Sequence, residues 1–340
     1  MSVASQHCFG SVTVLGAGSW GTALAIHMAS AGLDVTLWGN EPDHMERLQQ
    51  QRCNEQFLPD IAFPETLKIQ ADLEQALKSA SWILLAIPSY AFRSFLSGAS
   101  SLIDKDIAVT WASKGLEEGT GKLLHQVISE ELPQCSRLAA ISGPTFAREV
   151  AMSMPTAITV ASESESLANE ISHCLHYGNF RAYTSNDVIG VELGGALKNA
   201  LAIASGIADG LGFGANARAA LVTRGLAELM RLGTTMGGKQ ETFMGLAGMG
   251  DLVLTCTDNQ SRNRRMGLSL AKGLSKEEIK IEIGQEIEGV RTAREAMNLA
   301  KKFQVELPII EQVYKVLYDD LLPQEAVKHL LERKPTAELH

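Results

Sequence analysis

The chain reads as an α/β protein whose first half builds a mostly parallel sheet and whose second half is helical. Three observations carry that expectation. From Ser11 to about Ser185, short β-rich runs alternate with helical patterns, as parallel strands joined by crossover helices require. After Asn186 the β-rich runs stop. The first of them, moreover, runs straight into Gly16, Gly18 and Gly21 in G-x-G-x-x-G spacing and then into an Ala-rich helix.

Strands are expected at Val12–Leu15, Val35–Trp38, Leu67–Gln70, Trp82–Ile87, Ile107–Ala112, Leu138–Ser142 and Ala157–Ala161. Most are short apolar runs, as suits strands covered by helices on both faces. From Asp187 to about Leu331 the periodicity is helical, punctuated by glycine-rich stretches at 205–214, 233–238 and 245–250. The Leu252–Thr255 run is the one β-like exception there. The last few residues are expected to fray.

The glycine spacing has a physical meaning in this position. Gly16 permits a tight turn, Gly18 lets a pyrophosphate approach the backbone, and Gly21 lets the helix pack closely on the strand. The helix amino terminus then faces the phosphates, with the amides of Ser19 and Trp20 lining the anion. This is the signature of a Rossmann-type domain, so the division expected is 1–186 for dinucleotide binding and 187–340 for a helical substrate-binding and catalytic domain. The adenosine ribose should be read at the tip of the second strand, Trp38-Gly39-Asn40-Glu41. An acidic group there favours NAD and a basic one NADP. Asn40 is neither and Glu41 comes one residue late, so the cofactor is NAD or NADP with the preference open.

Composition bounds the partners. With 340 residues, 45% of them hydrophobic, the chain can bury the cores of about two domains. Its net charge of −9 opposes non-specific attraction to nucleic acid or anionic lipid, so any bound anion must meet a local positive site. Five scattered cysteines (Cys8, Cys53, Cys135, Cys174 and Cys256), odd in number and without a C-x-x-C pair, suit reduced thiols and a cytoplasmic location. The first 33 residues lack Asp, Glu, Lys and Arg, but the first basic residue is Arg47 and glycines interrupt the stretch. A buried strand and helix are expected there, not a leader or a stable membrane anchor.

Several motifs fail on inspection. "GLEEGTGKLL" has a misplaced first glycine and Leu123 where a phosphate loop needs Ser or Thr. "HCLHYG" groups His173, Cys174 and His176 without a further ligand at usable spacing, so no metal is expected. No G-x-S-x-G is present.

"VELGGALKNALAIASGIADG" is a nearly apolar helix with Lys198 in its middle. Gly194 and Gly195 lie one turn before it, at a cost of about 1 kcal/mol each relative to alanine. Their missing side chains should open a crevice that a ligand or the other domain fills. Two readings stand side by side: a lysine whose stem covers apolar surface while its charge reaches water, or a general acid. The second has a chemical use. Hydride transfer to a carbonyl carbon needs a proton for its oxygen, and burial or a second cation can bring a lysine's pKa toward working pH.

Taken together, "GAGSWGTALA" (16–25), "SKGLE" (113–117), "SGPTFAREV" (142–150), "GVELGGALKNALAI" (190–203), "GLAGMGDLVLTC" (245–256), "SRNRRMG" (261–267) and "EIEGVRTA" (286–293) resemble the bacterial type of NAD(P)-dependent glycerol-3-phosphate dehydrogenase. The resemblance implies that Lys198 is the catalytic lysine, with Asn199 beside it, and that Lys114 sits where cofactor and substrate meet. It puts Gly143 and Thr145 against the substrate, Ala147 against the cofactor, and Asp251 and Thr255 near the reacting oxygen. Ser261, Arg262 and Asn263 fall at the substrate's phosphate, Arg262 also reaching the cofactor, and Glu286 and Glu288 on the cofactor side. Two positions depart from the family pattern: many relatives carry a basic residue at Asn40, and an apolar one is common at Glu286, whose contact is then through its backbone.

On the residues themselves, Ser261 is a good helix N-cap, and the amides of Arg262 and Asn263 with a guanidinium would hold a phosphate dianion. Read alone, "SRNRR" is a solvated basic face and Asp251 a turn residue; near two lysines, Asp251 would also tune Lys198. The activity implied is interconversion of dihydroxyacetone phosphate and sn-glycerol 3-phosphate, supplying phospholipid synthesis, in a cleft between the domains. A homodimer is compatible with it. The rivals are a β-hydroxyacid dehydrogenase, whose substrate ends in a carboxylate, and a non-catalytic dinucleotide sensor.

Overall fold

A computed structural model describes residues 9–334; the expectations for Cys8 and the last few residues lie outside it. The first half runs β1 (Val12–Leu15), α1 (Ser19–Ser30), β2 (Val35–Trp38), α2 (Pro42–Gln51), β3 (Cys53–Asn54), β4 (Leu58–Ala62), β5 (Lys68–Gln70), α3 (Leu73–Leu77), β6 (Trp82–Leu85) and α4 (Phe92–Ala99). It continues with β7 (Ala108–Trp111), α5 (Leu124–Glu131), β8 (Leu138–Ser142), α6 (Ala147–Ala151), β9 (Thr156–Ala161), α7 (Glu165–Leu175) and β10 (Phe180–Ser185). Eight strands form one sheet in the order β10-β9-β8-β7-β6-β1-β2-β5. All neighbours are parallel except β8 and β9. Every residue of β1, β6 and β7 is buried, as strands with helices on both faces must be. The chain leaves β1 toward β2 and returns to β6 on its other side, so the carboxyl end of β1 is the switch point where such sheets bind ligands.

The second half is α8 (Val188–Gly210), α9 (Ala215–Thr235), α10 (Gln240–Phe243), a π-turn over Leu246–Gly250, α11 (Asp251–Thr257), α12 (Arg262–Ala271), α13 (Lys276–Ile283), α14 (Glu288–Phe303), α15 (Pro308–Tyr318) and α16 (Pro323–Leu331). α8 is the axis. It is capped by Asp187, which accepts from the Gly190 amide at 2.9 Å, and its sides are covered by α9, α11, α12, α14 and α15. Its length and apolar composition would suit a membrane span, yet it is buried inside the protein. Gly206 lets α12 touch it backbone to backbone: a Cβ there would lie 2.1 Å from the Arg264 carbonyl oxygen, and one on Gly267 would lie 2.1 Å from that of Ile203. The halves are also tied by Glu192 of α8, which accepts from the Trp111 indole at 2.8 Å and the His125 amide at 2.9 Å.

Three features differ from the sequence reading. Leu252–Thr255 is helical, inside α11, with Leu252, Thr255 and Cys256 buried and Val253 exposed; a four-residue apolar run carries no period of its own. β10 was not among the expected strands because its exposed Arg181, Tyr183 and Thr184 dilute the apolar signal of an edge strand. The β3–β4 hairpin, with a two-residue strand, is too short to leave a pattern.

Candidate active site

Between the carboxyl ends of the sheet strands and the helical half lies a cleft of about 990 Å³. At one end stands the glycine-rich turn. Gly16 has φ of +125°, and a Cβ on it would lie 2.5 Å from the Ala86 carbonyl oxygen. Gly21 is behind the cleft wall, where a Cβ would fall 1.9 Å from the Gly16 carbonyl oxygen. Around Gly18 a Cβ would meet nothing within 4 Å, so the space beside it is open to a ligand. The first amides of α1 point into this space without intrahelical acceptors. Trp20 lines it, with an indole N–H closed off from solvent and lacking an acceptor. The Ser19 hydroxyl is already engaged, donating to the Phe57 carbonyl at 2.7 Å.

That bond belongs to a support the sequence reading missed. Fully buried Asn54, from the β3–β4 hairpin, donates to the Ala17 carbonyl at 2.9 Å and the Thr22 hydroxyl at 2.8 Å, and meets His44 at 3.1 Å. An amide with both ends satisfied fixes the turn from behind. Asn40 and Glu41, after β2, and Ala147, opening α6, line the same end. An orphaned indole donor, an open glycine face and free helix amides fit a dinucleotide.

The middle of the cleft is built around Asp251, which is 0% exposed. Its carboxylate accepts from Lys198 Nζ through one oxygen and from Lys114 Nζ, at 2.7 Å, through the other. Lys198 also donates to the Thr255 hydroxyl at 2.9 Å, and that hydroxyl donates to the Asp251 carbonyl at 2.6 Å, one turn back on α11. Lys114, following β7, donates to the Gly143 carbonyl at 3.0 Å, and the Thr145 hydroxyl donates to the same oxygen at 3.1 Å. Burial pulls the Lys198 ammonium down to about 7; the Asp251 carboxylate opposes that shift and the Lys114 charge adds to it. Lys198 is only 6% exposed, which removes the reading of a lysine reaching for water. The crevice expected beside it is closed by the protein itself. A Cβ on Gly194 would lie 2.4 Å from the Ala247 carbonyl of the π-turn, and one on Gly195 would lie 2.6 Å from Ser142 Oγ of the other half.

At the far end is the start of α12. Ser261 caps it, accepting from the Arg264 amide at 3.2 Å, which leaves the amides of Arg262 and Asn263 free. The Asn263 side chain is committed inward, donating to Asn199 Oδ1 and accepting from the Gly289 amide, both at 2.9 Å. Arg262 reaches Gln285 at 3.3 Å; burial lowers its pKa and the Glu288 carboxylate opposes that. "SRNRR" is therefore no solvated face: Arg264 is buried in an ion pair with Asp209. Glu288 spans the halves, accepting from the Ser89 hydroxyl at 2.8 Å, and burial raises its pKa. The Glu286 carboxylate turns to Arg291 at 3.2 Å.

The structure thus brings nearly all the sequence-derived site residues to one cleft. Gly21, Gly143 and Asp251 stand behind its lining. His173 is on α7 and His176 just beyond it, and among the described residues no group of three or more His, Cys, Asp or Glu side chains is arranged to hold a metal. Residues the sequence reading did not single out are Asn54 and Ser89, whose types and spacings carry no motif, and Arg265, which it read only as part of "SRNRR".

Comparison with known proteins agrees with this arrangement. A glycerol-3-phosphate dehydrogenase (NAD(P)+) of Shewanella sp. strain MR-4 is 52% identical over 328 residues, covering 96% of this chain and 97% of that protein. One of Pseudoalteromonas translucida is 53% identical over 96% of this chain and 98% of its own length. The crystal structure of glycerol-3-phosphate dehydrogenase from Coxiella burnetii superposes with a TM-score of 0.92 at 49% identity, covering 95% of this chain and 99% of that one. That of the Saccharomyces cerevisiae enzyme gives 0.81 at 28% identity, covering 96% and 100%. Residues 11–168 match the NAD-dependent glycerol-3-phosphate dehydrogenase N-terminus and residues 187–328 its C-terminus, and the chain belongs to that family.

Proposed function

We propose that Lys198 is the proton donor and acceptor of this protein, with Asp251 and Lys114 setting its proton affinity. As a member of its family, the chain is an oxidoreductase that interconverts dihydroxyacetone phosphate and sn-glycerol 3-phosphate with NAD or NADP. The observation that carries the reading is the Lys198–Asp251–Lys114 array, buried at the cleft's centre with the Lys198 pKa near 7. An amine there exists in both protonation states at neutral pH, as a reversible acid and base must.

NAD or NADP, when bound, supplies or takes up the hydride at the oxygen-bearing carbon. Gly16, Gly18, Ser19 and Trp20 would hold its pyrophosphate through backbone donors, with Gly21 letting α1 pack close behind them, and Asn40, Ala147, Arg262, Glu286 and Glu288 would flank the rest. In ketone reduction, Lys198 gives its proton to the carbonyl oxygen and becomes a neutral amine hydrogen-bonded to Thr255 and Asp251. In alcohol oxidation it takes the hydroxyl proton back. Lys114, Gly143, Thr145 and Asn199 orient the substrate, while Ser261, Arg262 and Asn263 hold its phosphate, the asparagine through its backbone amide.

The same reading divides the chain near residue 186 into a cofactor half and a substrate half, places it in the cytoplasm without a nucleic-acid partner or stable membrane anchor, is compatible with a homodimer, and has it supply phospholipid synthesis. The scattered, odd cysteines support the location.

The test follows nicotinamide absorbance with dihydroxyacetone phosphate and NADH or NADPH, for the native protein and Lys198→Ala. Turnover by the native protein and a loss of about 10²- to 10⁴-fold in the variant are expected. Full activity in the variant would overturn the assignment of the lysine.

A further inference from the structure

Arg265 lies one turn into α12, on the same helix face as Ser261 and Arg262. It lines the cleft, its Nε is closed off from solvent without an acceptor, and its side chain forms no hydrogen bond or ion pair among the described residues. Its neighbour in sequence behaves otherwise: Arg264 is buried between Asp209 and Asn259. Arg262 and Arg265 are close enough that the second charge lowers the proton affinity of the first. The carboxylates that could relieve them are engaged elsewhere, Glu286 with Arg291 and Glu288 with Ser89. A chain of net charge −9 therefore keeps two crowded guanidiniums beside two free helix amides. Buried donors without acceptors are costly, and an anion between them removes both that cost and the repulsion.

We propose that Arg265 is a second cation for the phosphate dianion of the substrate, acting with Arg262 and the amides of Arg262 and Asn263. The proposal rests on the reading of the cleft given above. A phosphate monoester presents three terminal oxygens and nearly two charges. Two planar forks and two amides can engage the oxygens from different sides, and two guanidiniums balance the charge. A carboxylate carries half that charge and leaves donors unmet, so Arg265 would discriminate against hydroxy acids.

The experiment measures kcat/KM for dihydroxyacetone phosphate and for unphosphorylated dihydroxyacetone, with KM for the cofactor, in native protein, Arg265→Lys and Arg265→Gln. Thermal melting verifies that both variants fold. Expected for Arg265→Gln is a loss of about 10- to 100-fold on the phosphorylated substrate alone. Arg265→Lys should be less affected, since it keeps the charge but not the fork. An equal loss on both substrates, or a rise in cofactor KM with the substrate ratio unchanged, overturns the proposal. If the native protein turns over no dihydroxyacetone phosphate, it is the functional reading that fails. Protection against thermal unfolding by inorganic phosphate then decides the residue: protection lost in Arg265→Gln supports an anion site, and protection retained overturns it.

Discussion

The helix amino termini at the two ends of the cleft, those of α1 and α12, are made of opposite materials. That of α1 has no cation: glycines at 16, 18 and 21, backbone amides and one indole form it, in a stretch whose first 33 residues lack Asp, Glu, Lys and Arg. That of α12 has a serine cap and three arginines within its first four residues, of which Arg262 and Arg265 line the cleft. The first selects by how closely a ligand can approach, the second by how much charge it brings. A diester whose charge is spread along a chain suits close approach to backbone; a terminal dianion calls for mobile cations. The charged end should therefore fail by losing charge, and the glycine end by gaining bulk.

The largest break is expected between the two ends, at the charged centre of the cleft. Asp251→Asn leaves two ammonium groups in a buried space without their counter-ion, and loss of one partner of such a pair costs about 3–5 kcal/mol. Steady-state kcat/KM should fall by about 10²-fold or more, with thermal stability falling as well. On the glycine side, two substitutions of equal size separate shape from stability. Gly21→Ala places a Cβ 1.9 Å from the Gly16 carbonyl oxygen, so stability drops by about 1–3 kcal/mol and cofactor KM rises. Gly18→Ala meets nothing within 4 Å, so the melting temperature holds while cofactor KM rises. Equal melting temperatures for the two variants would remove the distinction.

The smallest effect is a shift of a pH limb. Burial lowers the Lys198 pKa to about 7, with Asp251 opposing. Reduction needs the ammonium, so its kcat/KM should fall as pH rises through about 7; oxidation needs the neutral amine and should rise over the same range. Any activity left in Asp251→Asn should lose its reductive limb at lower pH, since the carboxylate that holds the proton on is gone.

How much of this was legible in the sequence follows from what kind of signal each part leaves. The glycine turn could be read because its steric demands exclude other residues at fixed spacing, and the structure bears this out at Gly16 and Gly21. Lys198 could be singled out because a cation in an apolar helix conflicts with its surroundings, and resemblance then gave it a role. Asp251 was legible only through that resemblance: nothing local shows that Lys114, far away in sequence, will meet its other oxygen. Asn54 leaves no trace, because it works through Ala17, Thr22, His44 and Phe57, which come from three segments. Arg265 stands in the quoted "SRNRR" but is set apart there only by the partners its side chain lacks, which no sequence displays. The Leu252–Thr255 run went wrong for a related reason, since its helical face is set by the core it meets.

The contact of α8 with α12 through Gly206 and Gly267 has a consequence for selectivity. One helix carries Lys198 and the other begins at the phosphate end, and with no side chain between them at the crossing their separation is a fixed length. The pair works as a calliper. On the proposed reading, a substrate spans from proton donor to anion site with its own skeleton, so chains longer or shorter are expected to lose kcat/KM. A methyl group on Gly206 would reset the gauge without touching any residue that meets the substrate.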